Sequence, residues 1–389
     1  MLRRLAYLAL FLLVVAVIGF FTLVAPYMDR RMNRVEPAAL PSFADSVAAL
    51  HATLTIVDLH ADPLLWPRDL NARASHGHTD VPRLIEGNVA IQLFGAVTKS
   101  PPGQNYQKNS AERDQLTMLF IASRWPLRTW HDLLQRALYE SAKLHDAAAR
   151  SEGRLTVVTS AEELDRFLEA RVANRDQVAG ILAMEGLQAL GGNLARLDTL
   201  YEAGFRVMGL THFFDNEVGG SSAGEAKGGL TEFGRAVIRR MEEKHIIVDI
   251  AHASPRVISD VLDIATRPVI VSHSGVQAVC PGPRNLSDET VHRVAANGGI
   301  IGIGYWDAAV CEPSPAGIAR TIKYVVDLVG ADHVALGSDF DGATTTQFDT
   351  SELARITAAL LSAGLTPEQV RQVMGGNAVR LLLQGLPPR

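Results

Sequence analysis

The sequence predicts an α/β protein, a (β/α)8 barrel of the TIM type, with an N-terminal transmembrane helix ahead of it and a helical insertion after the second strand. Three observations carry that expectation. Eight short apolar runs are continuous rather than alternating, as parallel strands covered on both faces require. Helical stretches separate most of them, and eight is the number at which a small parallel barrel closes. Polar, metal-capable side chains recur at the carboxyl ends of these runs, where barrel enzymes carry their chemistry.

The elements divide the chain into 1–26, a transmembrane anchor; 27–43, a linker; and 44–389, the barrel domain. Leu5 to Ala25 contains no charge, and at about 1.5 Å per residue it reaches roughly 31 Å, enough to cross a bilayer core. Arg3 and Arg4 also fit the basic start of a secretory signal. The apolar run is longer than the usual signal core and lacks a clear small-x-small cleavage site, so an uncleaved anchor is the preferred reading. Arg30, Arg31 and Arg34 oppose Arg3 and Arg4 across it, and charge alone does not orient it. Tyr27 to Phe43 is polar, contains proline and shows no apolar periodicity. Ala44 to His51 reads as a short helix leading into the first strand.

The strand expectations are Thr53–Asp58, Val89–Val97, Gly180–Met184, Phe205–Leu210, Ile246–Ile250, Pro268–Ser272, Gly299–Gly304 and Val334–Gly337. Helices are expected over Thr231–Lys244, Pro255–Ile264, Asp288–Asn297 and Ile318–Val329. Between the second and third strands an insertion holds a helix from about Asn109 to Arg150, interrupted at Trp125-Pro126. It reads mainly as a structural helix pair, with the polar lead-in Gln104–Arg113 as an alternative lid. Thr366-Pro367-Glu368-Gln369 has capping-box spacing with proline at N1 and starts a last helix.

Composition narrows the function. With 389 residues, 47% of them hydrophobic, the chain can bury a large core. A net charge of −5, with no basic run beyond the amino-terminal flank, disfavours nucleic-acid binding. The glycines from Gly219 to Gly229 lack phosphate-loop spacing. Two cysteines, Cys280 and Cys311, fit either buried thiols or one disulfide closing a loop of about 30 residues.

The candidate chemistry is a metal centre. His60 and Asp62 are spaced i, i+2, which on an extended strand end points both the same way. Glu185 ends an apolar run, where a carboxylate is costly unless paired or coordinated. His252 and His273 end consecutive strands and so sit side by side on the rim, and imidazole is a standard zinc ligand. Asp339 ends the eighth strand, beside the first once the barrel closes. Each signal alone fits an ordinary surface histidine or a salt bridge. Of twelve histidines, eight lie off the strand ends and read as surface or bottom-face residues, whereas His60, His212, His252 and His273 share the rim with Glu185 and Asp339. The six groups His60, Asp62, Glu185, His252, His273 and Asp339 exceed what one tetrahedral zinc uses, and Glu185 is suited to bridge two ions about 3.5–4 Å apart.

Several motifs resemble the membrane dipeptidase (renal dipeptidase) family of zinc peptidases. They are Val57-Asp58-Leu59-His60-Ala61-Asp62, Glu185-Gly186, Leu210-Thr211-His212, Asp249-Ile250-Ala251-His252, Ser272-His273-Ser274, Arg284-Asn285 and Gly337-Ser338-Asp339-Phe340-Asp341-Gly342. The resemblance runs in order from about Ala48 to Leu383. It implies two zinc ions per chain: His60 and Asp62 on the first, His252 and His273 on the second, Glu185 bridging, and Asp339 near the first and shuttling protons. It further implies that His212 steadies the tetrahedral intermediate and that Arg284 grips the substrate carboxylate, a role suited to a guanidinium fork. The reaction implied is hydrolysis of dipeptides by a hydroxide shared between the metals, with tolerance of a D-residue at the carboxyl side. A disulfide between Cys280 and Cys311 is also implied, and with it an exported catalytic domain. The chain departs from animal members in lacking their other cysteines and a carboxyl-terminal lipid-anchor signal. The expectation is therefore a bacterial inner-membrane protein with its domain in the periplasm, any homodimer forming without a disulfide. Two alternatives stand beside it: a barrel metallohydrolase acting on a lactone, cyclic amide or phosphoester, and a silent metal-stabilised binding protein.

Overall fold

Eight strands close into a ring in the computed structural model, which describes residues 2–36 and 42–389. In chain order they are β1 (Ile56–Ala61), β2 (Val89–Val97), β3 (Val178–Glu185), β4 (Phe205–Gly209), β5 (Ile247–Asp249), β6 (Ile270–Ser274), β7 (Ile300–Ile303) and β8 (Val334–Leu336). Each pairs in parallel with its neighbours in sequence, and β8 returns to β1 through Leu336 opposite Asp58. Every residue of all eight strands is buried, which is why the runs read as continuous rather than alternating. Parallel strands pointing one way put all carboxyl ends on one rim, and that rim positions the site.

The helices keep the expected order: Glu232–Glu243, Pro255–Ile264, Asp288–Ala296 and Pro315–Val329 pack around the barrel, each behind a Thr or Ser cap. The capping box at Thr366 and Gln369 forms with both reciprocal hydrogen bonds. The insertion holds helices Leu116–Ala122 and Leu133–Arg150, with Trp125-Pro126 in the break. It also adds a short strand, Leu155–Val157, outside β3.

Three expectations are corrected. β1 starts later than Thr53, because Thr53 closes the helix Asp45–Thr53, and it extends to Ala61, so His60 lies inside the strand. β6 likewise extends to Ser274 and takes in His273. The stretch expected as a linker from Tyr27 is helical through Met32, and Arg34–Val35 pairs in parallel with Thr345–Thr346. Its apolar positions recur every three to four residues once Phe20 to Met32 is read as one segment, a period the boundary at 27 conceals. Residues 37–41 of that linker lie outside the described residues. Helix Leu2–Met32 is long and apolar enough to cross a membrane.

Candidate metal centre

Each rim residue owes its place to a strand end. His60 is the penultimate residue of β1, Asp62 follows that strand directly, Glu185 is the last residue of β3, and His273 is the penultimate residue of β6. His212, His252 and Asp339 lie just past β4, β5 and β8. His252 and Asp339 are turned inward by left-handed backbone, with φ of 62° and 59°. Non-glycine residues adopt that conformation sparingly and collect at functional sites when they do.

The groups converge on Glu185. Its Oε1 lies 3.0 Å from His252 Nε2, 3.3 Å from His273 Nε2 and 3.6 Å from His60 Nε2, while its Oε2 lies 3.2 Å from His212 Nε2. His60 Nε2 is also 3.2 Å from Asp62 Oδ1 and 3.9 Å from Asp339 Oδ1. The structure therefore brings together all six expected ligands and His212. The closest sets are His60–Glu185–His273, Glu185–His212–His252 and His60–Asp62–Asp339, each within 4.8 Å. They overlap at His60 and Glu185, and His212 stands as near the carboxylate as the expected ligands do.

The electrostatics call for cations. Burial, reinforced by the Asp62 charge, holds the Glu185 carboxyl well above its usual range, and burial raises Asp339 to about 8 despite the opposing pull of His60. Burial alone would lower His60, but Asp62, Glu185 and Asp339 outweigh it and lift the imidazole to about 10. Burial lowers His212 to about 3 and puts His252 and His273 well below the ordinary histidine value. Three carboxylates and four imidazoles this close thus fit poorly with one another unless positive charge sits among them. Orphaned atoms make the same point, since His60 Nδ1 and Nε2 and Asp62 Oδ1 are buried without a hydrogen-bond partner.

Residues behind the rim fix the His273 imidazole. Ser272 Oγ donates to Asp249 Oδ2 at 2.5 Å and lies 2.9 Å from His273 Nδ1. A hydroxyl has one proton, so His273 Nδ1–H donates to it and Nε2 turns a lone pair toward the site. The Nε2 atoms of His252 and His273 stand 3.0 Å apart, a spacing suited to a shared proton or cation. A second Asp–Ser pair holds the backbone at His60: Asp58 accepts from Ser338 N at 2.8 Å and Ser338 Oγ at 2.6 Å, and Ser338 Oγ lies 3.1 Å from His60 O. Space is also set aside: a Cβ on Gly95 of β2 would collide with the Asp62 carboxylate.

Arg284 is buried rather than at the surface. Its Nη2 donates to His273 O at 2.7 Å, its Nη1 lies 3.3 Å from Ser274 Oγ, and its Nε has no partner. The disulfide Cys280–Cys311 is present and ties the loop that bears Arg284 to the turn after β7. The site opens into a cavity of about 680 Å³ walled by Asp62, Glu185, His212, His252 and Asp339, together with Tyr106 and Trp306. Tyr106 belongs to the insertion lead-in, so that segment forms cavity wall in addition to the structural helix pair.

Sequence reasoning passed over Asp58, Asp249, Ser272 and Ser338 as individual actors, although an aspartate two or three residues before a rim histidine was the available signal. It also placed His78 among surface or bottom-face histidines, whereas His78 is fully buried, stacks on Phe340 and lies 3.3 Å from Asp341. His51 is buried as well.

The family profile described as Membrane dipeptidase (Peptidase family M19) matches residues 44–385. Among curated proteins, "Dipeptidase tcpJ" of Claviceps purpurea is 29% identical over 344 residues, covering 86% of this chain and 74% of that protein. "Dipeptidase aclJ" of Aspergillus oryzae is 29% identical over 381 residues, covering 90% and 84%. Among solved structures, a metallo peptidase from Rhodobacter sphaeroides, liganded with a phosphinate mimic of the dipeptide L-Ala-D-Ala, superposes with a TM-score of 0.65. It is 26% identical and covers 86% of this chain and 99% of its own.

Proposed function

The chain belongs to the membrane dipeptidase family and is a metallo-dipeptidase; from that premise we propose that it works with two zinc ions held at the rim. In this reading His60 and Asp62, with Asp339 beside them, would hold the first ion, His252 and His273 would hold the second, and Glu185 would serve both. The observation that carries it is Glu185, whose two oxygens face different histidines while three Nε2 atoms crowd one of them. His and carboxylate donors in this ratio suit zinc. When bound, zinc supplies Lewis acidity and makes hydroxide available from water at neutral pH.

The protein's own groups do the rest. Arg284, with Nε free, grips the substrate carboxylate and so selects peptides whose carboxyl end is free. His212, kept neutral by burial, donates a hydrogen bond to the oxygen that gains charge as the carbonyl is attacked. Asp339 accepts the proton of the attacking water and returns it to the leaving amine, a shuttle that its place at the rim beside His60 and Asp62 allows. The bound ligand of the Rhodobacter relative favours acceptance of a D-residue at the carboxyl side. Helix Leu2–Met32 anchors the protein in a bacterial inner membrane, with residues 44–389 as the periplasmic domain, where the disulfide would persist. Both cysteines are consumed within the chain, so a homodimer would need no covalent link.

The test combines metal content with hydrolysis of L,L- and L,D-dipeptides, with and without chelator. Two zinc ions per chain and chelator-sensitive cleavage of both series are expected. Two bound zincs with no dipeptide cleaved would favour the silent binding protein instead. Arg284→Ala should cut kcat/KM on free-carboxylate dipeptides by about 10²-fold and leave the amidated ones nearly unchanged. Equal losses on both would point to a different hydrolase.

A further inference from the structure

Leu2–Gly19 buries no residue, but the same helix changes character as it meets the barrel. Ala25 and Asp29 are buried, and Phe20, Val24, Met28 and Met32 pack against the cluster around Leu65, Trp66 and Leu119. Positions 20, 24, 25, 28, 29 and 32 form one helical stripe. At its centre the Asp29 carboxylate is fully buried, 2.9 Å from Arg68 Nε, 3.1 Å from His76 Nε2 and 2.8 Å from Asn33 Nδ2. Arg68 also reaches Asp341 at 2.8 Å.

Beyond the helix, Arg34 N donates to Thr344 O at 3.2 Å, Glu36 N to Thr346 O at 2.8 Å, and Ala343 N to Asn33 Oδ1 at 3.0 Å. Those partners belong to the loop that follows Asp339, and Thr344 Oγ1 donates to Asp339 O at 2.9 Å. A flexible tether needs neither a desolvated carboxylate nor a hydrogen-bonded seam, since both are costly unless the docked geometry is fixed. The docked face also reaches the cavity: Met28 and Met32 form wall there with Leu65, Leu116 and Leu119, in the same space as Glu185, His212 and Asp339.

We propose that helix Ala25–Met32 is a specificity-determining wall of the cleft, with Met28 and Met32 completing an apolar pocket for a large aliphatic or aromatic side chain of the dipeptide. The proposal rests on the dipeptidase reading. Methionine is flexible and polarisable, so this wall accommodates apolar side chains of different shape, whereas glycine leaves it unfilled. The asymmetry sets the measurement.

The full-length chain in detergent is assayed with Leu-Leu and Gly-Gly as Met28→Ala, Met32→Ala and the conservative Met28→Leu. Each alanine variant is expected to raise KM for Leu-Leu about ten-fold, with kcat, zinc content and KM for Gly-Gly within about two-fold of wild type, and Met28→Leu to restore it. KM values that move together for both peptides, or for neither, overturn the pocket. A zinc-loaded wild type that cleaves no dipeptide overturns the functional reading instead and takes this inference with it.

Discussion

Asp339 and the groups behind the histidines are where single substitutions separate chemistry from metal binding. Asp339→Asn keeps the shape but removes the proton carrier we propose, so kcat should fall about 10²- to 10⁴-fold; the pH profile of kcat on a good dipeptide would lose its basic-group limb. Asp249→Ala acts differently. It releases Ser272 and, through it, the orientation of His273. Zinc affinity should weaken about 10- to 100-fold, read by competition with a chromogenic chelator, with activity largely recovered at saturating zinc. Gly95→Ala should be more severe than any exposed Gly→Ala, because the new methyl has nowhere to go except into Asp62. His60, Glu185 and the other rim residues were legible in the sequence because each directly follows or ends an apolar run. Their supports were not, since Asp58 meets Ser338 across 280 positions of sequence.

At the scale of elements, the disulfide is the clearest lever. It joins the loop carrying Arg284 to the turn after β7, spanning 31 positions. Replacing both cysteines by serine should cost about 3–4 kcal/mol in urea unfolding on the chain-entropy account. It should also raise KM if Arg284 grips the substrate as proposed, because Arg284 loses a fixed loop. A KM unchanged by that loss of stability would separate the loop from substrate binding. Strand positions were read well and strand ends less so: β1 and β6 run further than expected, because a following polar residue such as His60 or His273 stays in extended backbone when a cavity receives it. The helix Ala25–Met32 was concealed by composition. Asp29, Arg30 and Arg31 look like solvent-facing linker until Arg68 and His76 are placed against Asp29.

For the molecule as a whole, the buried carboxylates of the rim predict that metal binding and folding are coupled. Chelation should lower the melting temperature as well as abolish activity, since it leaves Asp62, Glu185 and Asp339 buried beside one another, and added zinc should restore both. A melting curve indifferent to chelator would show that the carboxylates are satisfied without an ion. A second whole-molecule property is acid sensitivity. Burial lowers the His51 pKa from 6.5, so below that value the unfolded chain takes up a proton that the folded one resists. Stability from this group is complete above pH 6.5 and declines as pH falls beneath it, by at most about 1.4 kcal/mol per pH unit. His51 lies on helix Asp45–Thr53, 2.8 Å from Thr357 Oγ1. His51→Gln should flatten the difference in unfolding free energy between pH 6.5 and 5.5 relative to wild type.

The sequence by itself determined the barrel, the rim and the six groups gathered on it. Burial on both faces writes a parallel strand as an unbroken apolar run, and parallel direction sends every carboxyl end to one side. Only the tertiary structure decided that Arg284 is buried, that Asp249 holds the His273 imidazole through Ser272 while Asp58 and Ser338 hold the His60 backbone, and that the N-terminal helix closes one side of the cleft. Those outcomes depend on which distant side chains desolvate one another. Asp29 is a surface residue until a barrel supplies its partners, and local pattern holds no record of a contact made across hundreds of positions.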